Sequence, residues 1–266
     1  MKMKKIALLF ALVLPYSLLG QKESPYTTDF LTDASLIGGA TVINTWGLLV
    51  IKDKKPLTEE KLSALNAEDI WFVDRWSAGN YDEKASSASD IPLYTSIAVP
   101  LIFALNKDTR QHMGQLSIMY VEAVGLSLAT FTVSSGFIEK SRPKVYNPNL
   151  SLDEKLESNN QRSFFSGHVA AAAASTFFAA QVYADFYPNS KAKPYIWAGA
   201  ALLPAAVGYY RVKGGNHFLS DAIVGYVIGA TSGILIPRLH RRKDSNLKIA
   251  PEVGFGYQGI GIQYTF

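Results

Sequence analysis

The chain has 266 residues, of which 48% are hydrophobic and 18% charged, with a formal net charge of +4 and no cysteine. The charged fraction lies below the roughly 25% usual for soluble domains, and so small a net charge gives no argument for a nucleic-acid partner. The absence of cysteine excludes disulfides and thiolate metal sites. The length fits one domain, or one helical bundle with appendages.

The amino-terminal segment predicts a secretory signal peptide. Lys2, Lys4 and Lys5 form a basic start, residues 6–19 are an apolar run, and Gly20 precedes a polar segment. This order is typical of an exported chain. The apolar run is short for a membrane span, and an uncleaved signal anchor is the alternative.

Six apolar stretches follow. They cover residues 35–51, 91–106, 115–138, 167–184, 194–210 and 218–237. Their many small residues suit close helix packing within a membrane, although several are shorter than the about 20 residues that cross hydrocarbon. We therefore predict an all-α protein, a membrane-embedded six-helix bundle, with a soluble periplasmic bundle as the alternative. Glu122 must face the bundle interior or water, because a lone carboxylate in lipid is costly.

Two further segments differ from the apolar stretches. The polar connection 52–90 permits amphipathic helix, and its Trp71 and Trp76 fit either a membrane interface or ordinary burial. The tail 249–266 alternates apolar and polar residues, which predicts two short strands joined around Gln258 and Gly259. A single hairpin cannot close a barrel, so we expect a β-hairpin-like appendage or a strand for a partner.

These elements predict four regions. They are a signal peptide at 1–20, an amino-terminal apolar segment with its polar connection at 21–90, a helical core at 91–240 and a β-like tail at 241–266.

A polar cluster precedes the last apolar stretch. His217 and Asp221 are four residues apart at the start of a helical pattern, so we expect them to share one face. A carboxylate bonded to one imidazole nitrogen fixes the tautomer and leaves the other nitrogen free to attack. Arg211 adds a planar guanidinium suited to phosphate oxygens.

Two earlier clusters add groups that suit an anion. Ser166 is placed as the N-cap of an alanine-rich helix, whose unpaired first-turn amides attract anions. His168 could there donate a proton to a leaving oxygen. Lys140 and Arg142 close the third stretch, where Pro143 turns the chain away. Singly, each cluster also fits a structural bond, a helix cap or an interface anchor.

Together these clusters resemble the signature of the type 2 phosphatidic acid phosphatases, a superfamily that includes bacterial acid phosphatases and vanadium haloperoxidases. The matching residues are Arg142-Pro143, then Ser166-Gly167-His168, then Arg211 with His217 and Asp221. The resemblance covers residues from about 85 to 237 and implies the helical bundle of the acid phosphatase and haloperoxidase type.

The resemblance also implies a role for each residue. His217 would be the nucleophile that takes the phosphoryl group, Asp221 would orient it, and His168 would protonate the departing group. The phosphate oxygens would be held by Arg142, Arg211, Ser166 and the amide of Gly167.

Three positions depart from the signature. Ser135 stands where the family has Lys, Phe165 where it has Pro, and Tyr210 where it has Ser. Lys140 or Lys144 could supply the missing charge, and we include Lys140 among the predicted phosphate-binding residues. Loss of one such donor can lower a rate by about 10²–10³-fold.

The resemblance implies a phosphatase that acts on phosphate monoesters or pyrophosphates through a phosphohistidine, with no metal or other cofactor. Together with the signal peptide, it favours envelope lipids as substrates, a membrane location and a site that faces the periplasm. The alternatives are a soluble periplasmic acid phosphatase of broad range and, because of Ser135, an inactive envelope scaffold.

Overall fold

A computed structural model describes residues 23–242, 247–254 and 257–264. The predicted signal peptide, 1–20, lies outside the described residues. The α-helices are, in chain order, α1 (Phe30–Lys52), α2 (Glu59–Ser63), α3 (Phe72–Arg75), α4 (Glu83–Ala88), α5 (Asp90–Ala98), α6 (Lys107–Arg110), α7 (Met113–Phe137), α8 (Leu152–Leu156), α9 (Gly167–Phe186), α10 (Lys193–Lys213) and α11 (Leu219–His240). Short 3-10 helices lie at Ala67–Asp69, Val99–Ala104, Pro143–Tyr146 and Ser158–Gln161.

The predicted all-α bundle is confirmed. Each of the six apolar stretches falls on a helix: α1, α5 with its 3-10 continuation, α7, α9, α10 and α11. Among the described residues, four helical segments are long and apolar enough to cross a membrane. These are Phe30–Lys52, Glu83–Ala104, Met113–Phe137 and Leu219–His240.

Helix α9 lies at the centre of the bundle. Its alanine run, 170–174, is mostly buried, which lets neighbouring helices approach its backbone. Its larger side chains, Phe178 and Val182, join Leu116 and Met119 of α7 in one buried apolar cluster. The core around α9 is therefore built from small side chains near its amino-terminal end and from large ones near its carboxyl-terminal end.

Three glycines of α11 face α9 at a spacing of four residues. A Cβ added to Gly225, Gly229 or Gly233 would lie 2.5, 2.1 or 2.5 Å from a carbonyl oxygen of the Ser166–Ala174 segment. Only glycine permits this approach, and small residues four apart are the usual way for membrane helices to come so close. The contact fixes the starts of α9 and α11 side by side.

Helix α1 lies at the periphery. Asp33 and Gly47 are its buried residues, and Gly47 packs against Thr132 of α7, whose Oγ1 would lie 2.6 Å from an added Cβ. Large apolar side chains such as Trp46 and Leu49 are exposed. An exposed apolar face of this kind suits contact with lipid.

The polar connection and the tail differ in detail from the predictions. The connection forms short helices, α2 to α4. Trp71 and Trp76 are 58% and 62% exposed, so the alternative that predicted their burial against the bundle is wrong. The tail forms two antiparallel strands, β1 (Leu247–Gly254) and β2 (Tyr257–Tyr264).

The turn between these strands was placed wrongly. Gln258 and Gly259 lie within β2 and pair with Val253 and Glu252, while Gly254 pairs with Tyr257. The tail carries glycine at 254 and 256 and again at 259 and 261, so composition did not distinguish the two turn positions.

The glycine contact between α9 and α11 predicts a stability effect. We expect Gly229→Ala to destabilise the bundle by about 1–3 kcal/mol, because the new methyl group overlaps the Ala170 carbonyl. Gly199→Ala on α10 is the matched control, since nothing lies within 4 Å of its added Cβ. Thermal unfolding in detergent measures both. Equal unfolding temperatures for the two variants would contradict the contact.

Candidate active site

The three polar clusters meet at one end of the bundle. There α7 and α10 end, and α9 and α11 begin. Backbone hydrogen bonds join the connecting segments: Ser163 N to Lys140 O at 2.9 Å, Lys144 N to Gly215 O at 3.1 Å and Ser166 N to Asp221 O at 3.1 Å. Backbone hydrogen bonds therefore hold together residues that are distant in sequence.

The turn before α11 requires glycine. Gly215 has a φ of +70°, a left-handed conformation that side chains disfavour. A Cβ there would lie 1.8 Å from the Asn80 carbonyl oxygen. Asn80 in turn donates its side-chain amide to the Val212 carbonyl at 3.1 Å. The polar connection thus packs against this turn, and the turn leads directly to His217.

His217 is buried and neutral. Its Nδ1 lies 2.6 Å from the Ser163 carbonyl oxygen. Burial first, and then the cations of Arg211 and Arg142, hold the pKa of His217 well below its usual range. A neutral imidazole that donates from Nδ1 keeps a lone pair on Nε2. A lone pair on Nε2 at neutral pH is what a nucleophilic role would require.

Asp221 does not bond to His217 directly, contrary to our expectation. Its Oδ2 accepts from Ser163 Oγ at 2.6 Å and from Phe218 N at 3.0 Å. The two residues do not share a helix face as predicted, because α11 begins two residues after His217. Ser163 connects the two, since its hydroxyl donates to Asp221 and its carbonyl accepts from His217.

Lys140 contacts carboxylates. Its Nζ lies 2.8 Å from Asp221 Oδ1 and 3.3 Å from Asp74 Oδ2, and 4.7 Å from the centre of the Phe218 ring. Asp74 also accepts from the Ser220 backbone N at 2.8 Å. The charge of Lys140 is therefore balanced within the protein, which leaves it less suited to phosphate than predicted.

Arg142 is positioned by neutral amides. It donates to Asn216 Oδ1 and to Asn159 Oδ1, each at 3.2 Å. Burial, together with the nearby cations of Arg211 and Arg162, lowers the pKa of Arg142 to about 9. The guanidinium still remains charged at neutral pH, and amides leave that charge uncompensated.

Three of the predicted phosphate-binding residues have a buried donor atom without a hydrogen-bond partner among the described residues. The atoms are Arg142 Nε, Arg211 Nε and Ser166 Oγ, which together we call the anion pocket. Ser166 is the N-cap of α9, as predicted, but its side chain makes no cap bond. The hydroxyl therefore stays available beside the unpaired first-turn amides.

Gly167 allows close packing at the start of α9. A Cβ there would lie 2.9 Å from the Phe131 ring, so a larger residue would displace either the ring or the helix. Its amide belongs to the first helical turn, whose N–H groups have no partner within the helix. The positive end of α9 is thus presented beside the anion pocket.

His168 is half-buried at the same helix end, outside the candidate spans. Its Nε2 lies 3.6 Å from Asp90 Oδ1. Burial lowers the pKa of His168 to about 4, and Arg211 and Arg142 lower it as well, whereas Asp90 raises it. Sequence reasoning missed Asp90, whose one signal was a carboxylate at the start of the second apolar stretch.

The surroundings of Ser135 and Lys144 indicate which lysine could replace the one that the signature has at position 135. Ser135 is buried, and its carbonyl accepts from Lys54 Nζ at 3.0 Å. Lys144 makes no ion pair within the described residues, and burial followed by the Arg142 cation lowers its pKa. Of the two lysines considered, Lys144 is therefore the one with charge to offer near Arg142.

Comparison with known proteins adds the family. The PAP2 superfamily model matches residues 117–245. The crystal structure of Aquifex aeolicus LpxE is 23% identical with a TM-score of 0.44, and the match covers 65% of this chain and 99% of that one. The first transmembrane PAP2 type phosphatidylglycerolphosphate phosphatase from Bacillus subtilis is 18% identical with a TM-score of 0.48, covering 77% and 98%.

No curated protein matches the sequence. The family match contains Arg142, Ser166, His168, Arg211, His217 and Asp221. Residues 117–245, just under half of the chain, thus match the PAP2 superfamily model, and the four candidate spans support a membrane protein.

Proposed function

We propose that the protein is a phosphatase that hydrolyses phosphate monoesters or pyrophosphates of envelope lipids through a phosphohistidine on His217. The match of residues 117–245 to the PAP2 superfamily model supports a phosphatase. The four candidate spans support a substrate that reaches the site from a membrane. The observation that carries the proposal is the anion pocket, whose three buried donors have no partner in the part of the chain that the structure describes.

An anion explains why these donors are buried together. A buried donor without a partner costs about 1–3 kcal/mol, and like charges repel each other. Arg211 is near enough to Arg142 to lower its pKa. Neither arginine forms an ion pair within the described part of the chain. A phosphate group offers several strong acceptors and two negative charges. It therefore satisfies both the donors and the charge.

The first step would form a phosphorus–nitrogen bond. Nε2 of His217 attacks the phosphorus while the bond to the leaving oxygen breaks. The negative charge of the bound phosphate favours the protonated form of His168, which delivers its proton to that oxygen, so the alcohol or phosphate leaves in its protonated form. The imidazolium that forms on His217 donates from Nδ1 to the Ser163 carbonyl, 2.6 Å away. Asp221 contributes by holding Ser163.

The second step would return the enzyme to its starting state. Water attacks the phosphorus, His168 takes up the water proton, and the phosphorus–nitrogen bond breaks. Inorganic phosphate and neutral His217 result. The arginines act in both steps, because they stabilise the charge that develops on the equatorial oxygens. Lys144 is a further candidate for this task.

An apolar cavity beside the site suits a lipid chain. It has a volume of about 250 Å³ between α10 and α11, and Val169 and Ala222 of its lining adjoin His168 and Asp221. Gly208 and Tyr226 line it further along the two helices. A substrate could place its phosphate in the anion pocket and its hydrocarbon chain in this cavity.

Release of inorganic phosphate tests the proposal. The full chain in mixed micelles is given phosphatidic acid, phosphatidylglycerol phosphate, undecaprenyl pyrophosphate and a soluble aryl phosphate. We expect faster release from at least one lipid phosphate than from the soluble ester. His217→Ala should reduce release to background, and Arg211→Met should lower it by about 10²–10³-fold.

Matched controls are His112→Ala and Arg110→Met, which alter the same residue types at the other end of the bundle. Equal release by wild type and His217→Ala would overturn the mechanism. No release by any variant would favour the inactive scaffold, and equal use of soluble esters would favour a broad acid phosphatase. In spheroplasts, release from added lipid phosphate without permeabilisation is expected if the site faces the periplasm.

The pH dependence tests the role of His168. Asp90 raises the pKa of His168, since a carboxylate favours the protonated imidazole. We expect Asp90→Asn to lower that pKa, to move the alkaline limb of the kcat/KM profile to lower pH and to reduce the rate about tenfold at neutral pH. Asp82→Asn, at the N-cap of α4, is the control. A profile unchanged by Asp90→Asn would exclude this contact from catalysis.

A further inference from the structure

A second buried polar cluster lies at the opposite end of the bundle. It consists of Asp33 on α1, Glu122 on α7 and His240 on α11, and we call it the buried triad. The three side chains are at most 7% exposed. His240 ends α11 and Asp221 lies in its first turn, so at 1.5 Å per residue the two sites are about 30 Å apart. The buried triad is therefore separate from the catalytic cluster.

In its neutral form His240 would direct a lone pair at the two carboxylates. Nδ1 lies 2.9 Å from the Ile236 carbonyl oxygen, so Nδ1 must carry a proton. Nε2 lies 3.1 Å from Asp33 Oδ1 and 3.2 Å from Glu122 Oε2. A lone pair facing two anions is unfavourable unless a cation lies between them. A backbone carbonyl on the far nitrogen is also how metal-binding imidazoles are usually oriented.

A proton on Nε2 compensates this cluster incompletely. Protonated His240 with two carboxylates leaves one uncompensated negative charge inside the bundle. The hydrogen bond from Nε2 runs to Asp33, whereas neither oxygen of Glu122 has a hydrogen-bond donor among the described residues. A buried carboxylate without a donor is costly. A divalent cation with neutral His240 balances both carboxylates.

The spacing of the ligand atoms fits one metal ion. Ligands about 2.1 Å from a metal lie about 3.0 Å apart at right angles and about 3.4 Å apart at the tetrahedral angle. The two distances from His240 Nε2, 3.1 and 3.2 Å, fall within that range. All three ligand atoms lie within 4.8 Å of one another.

We propose that Asp33, Glu122 and His240 bind a divalent transition-metal ion, which joins α1 to α7 and α11. One imidazole nitrogen and two carboxylates suit zinc or manganese, whereas magnesium and calcium prefer oxygen ligands throughout. The role is structural. Asp33 and Gly47 are the two buried residues of α1, so the metal holds the end of α1 that lies away from the Gly47 contact.

Metal titration of the full chain tests this site. The protein in detergent is stripped with a chelator and titrated with Zn²⁺, Mn²⁺ or Mg²⁺, and bound metal per chain is measured. We expect one Zn²⁺ or Mn²⁺ per chain and an unfolding temperature raised by roughly 5–10 °C. Glu122→Gln should weaken binding at least ~10-fold. Glu139→Gln, which alters an exposed carboxylate just after α7, should leave it unchanged.

Two further variants keep the result decisive. His217→Ala should retain the metal, which separates this site from the proposed phosphatase. Asp33→Asn, with Asp53→Asn at the other end of α1 as its control, serves if Glu122→Gln does not fold. Failure of the wild type to bind metal, or equal binding by Asp33→Asn and wild type, would overturn the proposal and assign the cluster to a protonated His240.

Discussion

The contact between the backbones of α9 and α11 positions most of the site. Gly225, Gly229 and Gly233 bring α11 so near that an added Cβ would overlap carbonyl oxygens at the start of α9. The two helix starts therefore lie together, and Ser166 N bonds to the Asp221 carbonyl. His168 lies just inside one of these helices and His217 just before the other. A small change in the helix spacing would separate them.

Burial without compensation gives the site its chemistry. Amides position Arg142, so its charge stays available. Burial, and then the charges of Arg211 and Arg142, keep His217 neutral by lowering its pKa. The nearby carboxylates are paired with groups other than the two arginines. Asp221 contacts Lys140 and Ser163, and Asp90 faces the half-buried His168. Arg142 and Arg211 are thus available to a ligand, and His217, the proposed nucleophile, is unprotonated before the ligand arrives.

The helices were well predicted from the sequence: five of the six apolar stretches each became one α-helix, and the second became α5 with its 3-10 continuation. The motif residues also come together at one bundle end, which their positions beside apolar stretches indicated. The link through Ser163 could not be predicted, since it depends on where α11 begins. The partners of Lys140 were equally hidden, because Asp74 lies in a polar connection whose path depends on the whole fold. The hairpin turn was misplaced because glycines flank two equivalent positions.

The proposed mechanism requires that the anion pocket hold a phosphate for attack by His217. The most direct test is rapid chemical quench of the wild type with a lipid phosphate labelled in its phosphoryl group, followed by peptide mapping. The account predicts a label on His217 that is stable in alkali and lost in acid, as a phosphoramidate is. Turnover without any labelled peptide, or a label on another residue, would contradict it.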